Sequence, residues 1–158
     1  DGLRAFQDGV SQAPDSAELQ VNAIALGIEL GHLSPQDAIA ACRWLAARYP
    51  ATAIWLAGFS FGAMVACHAA VAVKPARLIS VAPPADRTRQ LLAGRHPSVP
   101  WLLIQGDADG VVSADDVIAW AGELSPPPRL VVLPGVDHFF HGGLSLLRDT
   151  VVDWLRSD

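Results

Sequence analysis

Three short stretches carry side chains that could do chemistry together. Gly58-Phe59-Ser60-Phe61-Gly62 sets a serine between two glycines. Gly106-Asp107-Ala108-Asp109-Gly110 offers two carboxylates. Pro134-Gly135-Val136-Asp137-His138-Phe139-Phe140-His141-Gly142 offers two imidazoles. A serine hydroxyl is a poor nucleophile unless a base takes its proton as it attacks. Imidazole titrates near neutrality, so it can take that proton and later return it to a leaving group. A buried carboxylate fixes the imidazole tautomer and stabilises the imidazolium. In the order Ser…Asp…His, the stretches could supply a nucleophile, an orienting acid and a base for acyl transfer.

Such groups work only if secondary structure brings them to one place. Residues 53–64 join an apolar run of strand character to G-x-S-x-G and then to an Ala-rich helical run. That is the sequence form of a nucleophile elbow, in which a sharp strand-to-helix turn lifts the serine off the sheet edge. Gly58 and Gly62 allow strand and helix to approach closely. The helix N-terminus aims amide groups at nearby negative charge, and the N–H of Phe61 is the expected oxyanion donor.

The flanking chain repeats the pattern. Strands are expected at 52–59, 76–82, 100–105 and 129–133, each a short apolar run closed by Gly or Pro. Helices are expected at 61–73, 87–92, 114–124 and 144–156, the last with Leu146, Leu147, Val151 and Leu155 as its stripe. Upstream, Ser34-Pro35-Gln36-Asp37 reads as a helix start, with Ile39, Cys42, Leu45 and Ala46 facing inward and Pro50 as the stop. Residues 1–15 read as irregular. A helix capped by Asp15 or Ser16 should reach about Leu30 and end at Gly31.

Alternating apolar strands and helices mean an α/β fold, a mostly parallel sheet with helices on both faces. Right-handed crossovers between strands laid down in order put the connecting helices on one face and leave the last helix for the other. Residues 1–158 read as one domain. Sites in such sheets form beyond the carboxyl ends of the strands, where all three stretches fall.

Each candidate has a plainer reading. Asp is a common turn former, so one of Asp107 and Asp109 is expected to be only that. A calcium loop is disfavoured because Gly110 is misplaced for an EF-hand and no Glu closes it. His138 and His141, three apart, could be a metal pair, but no third-ligand signature accompanies them. His32, His68 and His96 read as structural or exposed. The five Trp residues fall in regular elements and read as core. Phe59, Phe61, Phe139 and Phe140 could line a small acyl pocket, or half of them could be core.

Composition sets outer bounds. The apolar share is 51%, the charged share 17% and the net charge −5, which fits a globular chain and, with no basic run, excludes a nucleic-acid footprint. Cys42 and Cys67 match no zinc spacing and read as buried small hydrophobes. No apolar run is long enough for a membrane helix. No targeting pattern is present, so a cytoplasmic location is expected. The first residue is Asp1 rather than Met, which suggests that the chain is processed, trimmed or a fragment.

The three motifs together resemble the small, lidless serine hydrolases of the α/β-hydrolase superfamily, close to the dienelactone-hydrolase-like group. The match runs from about Gln36 to Trp154. The resemblance implies that the acid is Asp109, the second Asp of G-D-x-D, and that the base is His138. It implies a cofactor-free, metal-free carboxylesterase acting on small-molecule esters through an acyl-enzyme on Ser60. It also implies further strands before the elbow and a loop giving a second oxyanion N–H. Residues 1–34 show neither, so the fold is expected to be reduced at the N-terminus. The alternative is a degenerate relative with little activity, serving as a binding module or a homodimer through the open sheet face.

Overall fold

The computed structural model describes residues 35–157. The expectations placed on residues 1–34 therefore lie outside the described residues. Nine elements follow in order: α1 (Pro35–Arg48), β1 (Trp55–Phe59), α2 (Phe61–Val73), β2 (Arg77–Val81), α3 (Ala85–Leu92), β3 (Trp101–Gly106), α4 (Ala114–Glu123), β4 (Arg129–Leu133) and α5 (Leu144–Arg156). The strands lie in chain order β1-β2-β3-β4, all parallel. Leu56 pairs with Leu78, which in turn pairs with Trp101, and Leu103 pairs with Leu130.

Strand alternation divides the core into two layers. Leu56, Leu78, Trp101 and Leu103 face a large cluster built with Ala38 and Cys42 of α1, the small residues of α2, Leu92 of α3 and Trp120 of α4. Trp101 and Trp120 meet there edge to face, with centroids 5.7 Å apart. Ile79, Val81, Leu102, Ile104 and Leu133 face the opposite cluster, which Trp154 of α5 closes together with Val136 and Phe140. The connecting helices thus share one face and the last helix takes the other, as right-handed crossovers require. The architecture is a parallel α/β-hydrolase-like sheet covered on both sides.

Local chemistry moves several boundaries. β1 begins at Trp55, not Thr52, because Thr52 N–H bonds back to the Tyr49 carbonyl in the turn that ends α1. α3 begins two residues earlier than expected. The Pro84 carbonyl accepts both the N–H (2.9 Å) and the hydroxyl (2.8 Å) of Thr88, so the Pro pair that ends β2 also starts a helix. Two inward assignments fail. In α1 the buried residues are Ala38, Ala41, Cys42 and Leu45, and Ala46 is exposed. In α5 the packed residues are Leu147, Val151, Trp154 and Leu155, and Leu146 is exposed. At about 100° per residue, Ala46 and Leu146 each sit one step off the buried face of their helix. Both cysteines are free and buried, and burial pushes the Cys42 thiol up to about 11 and the Cys67 thiol up to about 12. They are inert packing residues, with Cys67 Sγ 3.2 Å from the buried Ser80 hydroxyl.

Candidate active site

The site is assembled at the carboxyl edge of the sheet by the turns after β1, β3 and β4. Ser60 is the single residue between β1 and α2, with φ 51° and ψ −118°. Its N–H is anchored 2.8 Å from the Val81 carbonyl at the end of β2. Its own carbonyl accepts Ala63 N–H at 3.0 Å and Met64 N–H at 3.3 Å, which starts the helix. Phe61 N–H opens α2 and so has no acceptor within the helix. The approach of strand to helix is tight. A Cβ on Gly58 would overlap the Gly62 carbonyl and lie 2.6 Å from Ala63 N. This is the elbow that the glycine spacing predicted.

The candidate acid comes from the turn after β3. Asp109 Oδ1 accepts the N–H groups of Val111 and Val112, each at 2.8 Å. Its Oδ2 lies 2.8 Å from His138 Nδ1 and accepts the Gln105 amide at 3.0 Å. The Asp109 side chain has no exposed surface. Burial opposes its charge, but the hydrogen bonds from Val112, His138, Val111 and Gln105 outweigh it and hold the carboxyl below its ordinary 3.8. Asp107, the other candidate, does different work. Its Oδ1 accepts the Gly135 N–H at 2.6 Å, tying the turn after β3 to the turn after β4. The same two turns meet through Ala108 N–H and the Val136 carbonyl at 3.2 Å. A Cβ on Gly106 would overlap that carbonyl, so the close approach requires glycine there.

The candidate base comes from the turn after β4. His138 is buried, and its Nε2 lies 3.2 Å from Ser60 Oγ. The two bonds align hydroxyl, imidazole and carboxylate in one line. With Nδ1 protonated and held by Asp109, Nε2 is free to accept the serine proton. The turn is locked from outside by Asp137, which accepts His141 N–H at 3.0 Å and pairs with the His141 ring at 2.7 Å. The two histidines offered by the sequence as a metal pair are thus each committed to a different carboxylate. Among the described residues no group of three potential metal ligands converges.

The four phenylalanines separate. Phe140 is buried in the second cluster, whereas Phe59, Phe61 and Phe139 are 41%, 48% and 63% exposed. Phe59 lies 5.0 Å and Phe139 5.2 Å, centroid to centroid, from the His138 ring. From the residues alone, Asp107 and Asp109 stay open between carboxylate and turn former, with no tie between loops. Gln105 reads only as the last residue of the 100–105 strand, although it is the lone polar side chain of the Trp101–Gly106 run, which is a signal in itself.

The fold is similar to that of α/β serine hydrolases, in line with the resemblance read from the three motifs. A serine hydrolase homologue from Coxiella burnetii superposes with a TM-score of 0.69 at 41% identity, over 75% of this chain and 57% of the other. A lidless serine hydrolase from Xanthomonas campestris gives 0.67 at 41% identity, over 77% and 55%. Dienelactone hydrolase from Anabaena variabilis gives 0.65 at 22% identity, over 83% and 59%, a likeness of fold alone. An uncharacterised protein of Rickettsia prowazekii is 31% identical over 129 residues, 75% of this chain and 54% of its own length. The chain thus spans little more than half the length of these relatives. No family model matches it. Among the described residues no helix is long and apolar enough to cross a membrane.

Proposed function

We propose that the protein is a serine hydrolase cleaving small carboxylic esters through an acyl-enzyme. The observation that carries this reading is the line from Ser60 Oγ to His138 Nε2 (3.2 Å) and from His138 Nδ1 to Asp109 Oδ2 (2.8 Å). Ser60 Oγ attacks the ester carbonyl while His138 Nε2 takes its proton. Phe61 N–H meets the oxygen that becomes negative. The C–O bond to the leaving alcohol breaks as Nε2 returns the proton, leaving Ser60 acylated. Water then attacks the acyl carbon with the same base, releasing the acid and restoring the hydroxyl. Asp109 keeps the imidazole in the right tautomer and offsets its transient charge. The exposed rings of Phe59, Phe61 and Phe139 favour an uncharged substrate with a small apolar or aryl group.

The test is labelling with a fluorophosphonate alongside hydrolysis of short-chain p-nitrophenyl esters. The unmutated protein should label and turn over, and Ser60→Ala should do neither. Unmutated protein that fails both would replace this reading with that of a folded relative acting as a binding module.

A further inference from the structure

We infer that Gln105 is a positioning residue for Asp109, its side-chain amide fixing the carboxylate so that Oδ2 faces His138; this rests on the relay proposed above. Gln105 is the penultimate residue of β3 and is wholly buried. Its Nε2 donates to Asp109 Oδ2 at 3.0 Å, to the Gly106 carbonyl at 3.1 Å and to the Val112 carbonyl at 3.4 Å. Its Oε1 is buried with no partner. The amide orientation follows from chemistry, since only a donor can face three acceptors.

That lopsided bonding is informative. A glutamine whose carbonyl is buried and unpaired is a poor space filler, and a methionine of similar length would fill the space with no unpaired polar atom of its own. The donor half is therefore what this position supplies. Asp109 Oδ1 is already fixed by two backbone N–H groups of its own turn. Those bonds hold one oxygen but leave the carboxylate free to twist about it. Oδ2 is held by two groups only, Gln105 from the sheet and His138 from the turn after β4. Gln105 is the one of the two seated in a rigid strand. Its hydrogen bonds go to Asp109, Gly106 and Val112 and not to Ser60, so its effect passes through Asp109 to the imidazole.

Gln105→Met removes the donor and keeps the length. On short-chain esters kcat should fall about ten- to a hundredfold with KM unchanged, the pattern for lost alignment of reacting groups. The downfield proton resonance of His138 Nδ1–H should shift or broaden, with the far-ultraviolet circular dichroism of the fold retained. Gln105→Leu, which also lacks any donor, should do the same; it decides the matter if the methionine variant does not fold. A folded variant with unmutated kcat and an unmoved resonance overturns the inference. The resonance needs no substrate. A protein that hydrolyses no ester would thus sink the proposed function, while the proton signal alone still decides the role of Gln105.

Discussion

Ser60 and Asp109 show how far a residue's role is set by its immediate backbone. Ser60 holds a positive φ that L residues seldom adopt, at a cost of about 1–3 kcal/mol, and the turn imposes it through the Val81 anchor and the start of α2. The reward is an Oγ lifted clear of the sheet within reach of His138. Asp109 is buried yet charged because four donors face its two oxygens. Its carboxyl titrates lower in the folded chain than the roughly 3.9 of an unfolded one. Such a group contributes stability that is fully present above about pH 4 and is lost as pH falls through the lower folded value. Thermal melts between about pH 5 and pH 3 should therefore fall more steeply for the unmutated protein than for Asp109→Asn. Parallel slopes would mean that the donors do not favour the ionised form.

At the scale of elements, the decisive contact is between β1 and α2. The strand can pass this close to the helix only because no side chain stands at Gly58. Gly58→Ala would drive a methyl group into the backbone of Gly62, where no flexible atoms can give way. Destabilisation of about 1–3 kcal/mol or more is expected, with loss of fluorophosphonate labelling as the serine is displaced. Denaturant unfolding and labelling on one sample measure both. Retained labelling at full stability would show that the elbow tolerates a wider approach. Asp107 plays a comparable part between loops: one hydrogen bond from Gly135 couples the turn that carries Asp109 to the turn that carries His138.

At the scale of the whole molecule, the two apolar layers decide where the three turns end up. The face holding α1, α2, α3 and α4 is broad, whereas α5 covers the other with few large side chains. Trp154 is the buried anchor of that helix, and Arg77 of β2 lies 5.0 Å over its ring. Trp154→Ala should cost about 3–5 kcal/mol through the cavity left between α5 and the sheet. Because α5 follows directly on the turn carrying His138, ester turnover should fall well below the unfolding temperature. A loss of stability with activity intact up to the melt would show that the turn is held by Asp107 and Asp137 without help from the helix.

The order of elements and the chemical types at their ends were written in the sequence, because apolar runs, Gly-Pro punctuation and G-x-S-x-G act over a few residues. Parallel pairing and the division of helices between faces followed from chirality, which is the same for every chain. Ala46 and Leu146 were misplaced because a helical stripe read from sequence is uncertain by one position, and only packing against neighbouring elements fixes it. Phe140 looked like its exposed neighbour Phe139 until packing buried it against Trp154 and Leu133. The division of labour between Asp107 and Asp109 came from the residues only with the resemblance added. Its physical reason lies in the meeting of two loops almost thirty residues apart in the chain. The same holds for Gln105, whose polarity in an apolar strand is a signal but whose partner is not. Its partner oxygen depends on how the next turn folds back over it, and that is decided by tertiary structure alone.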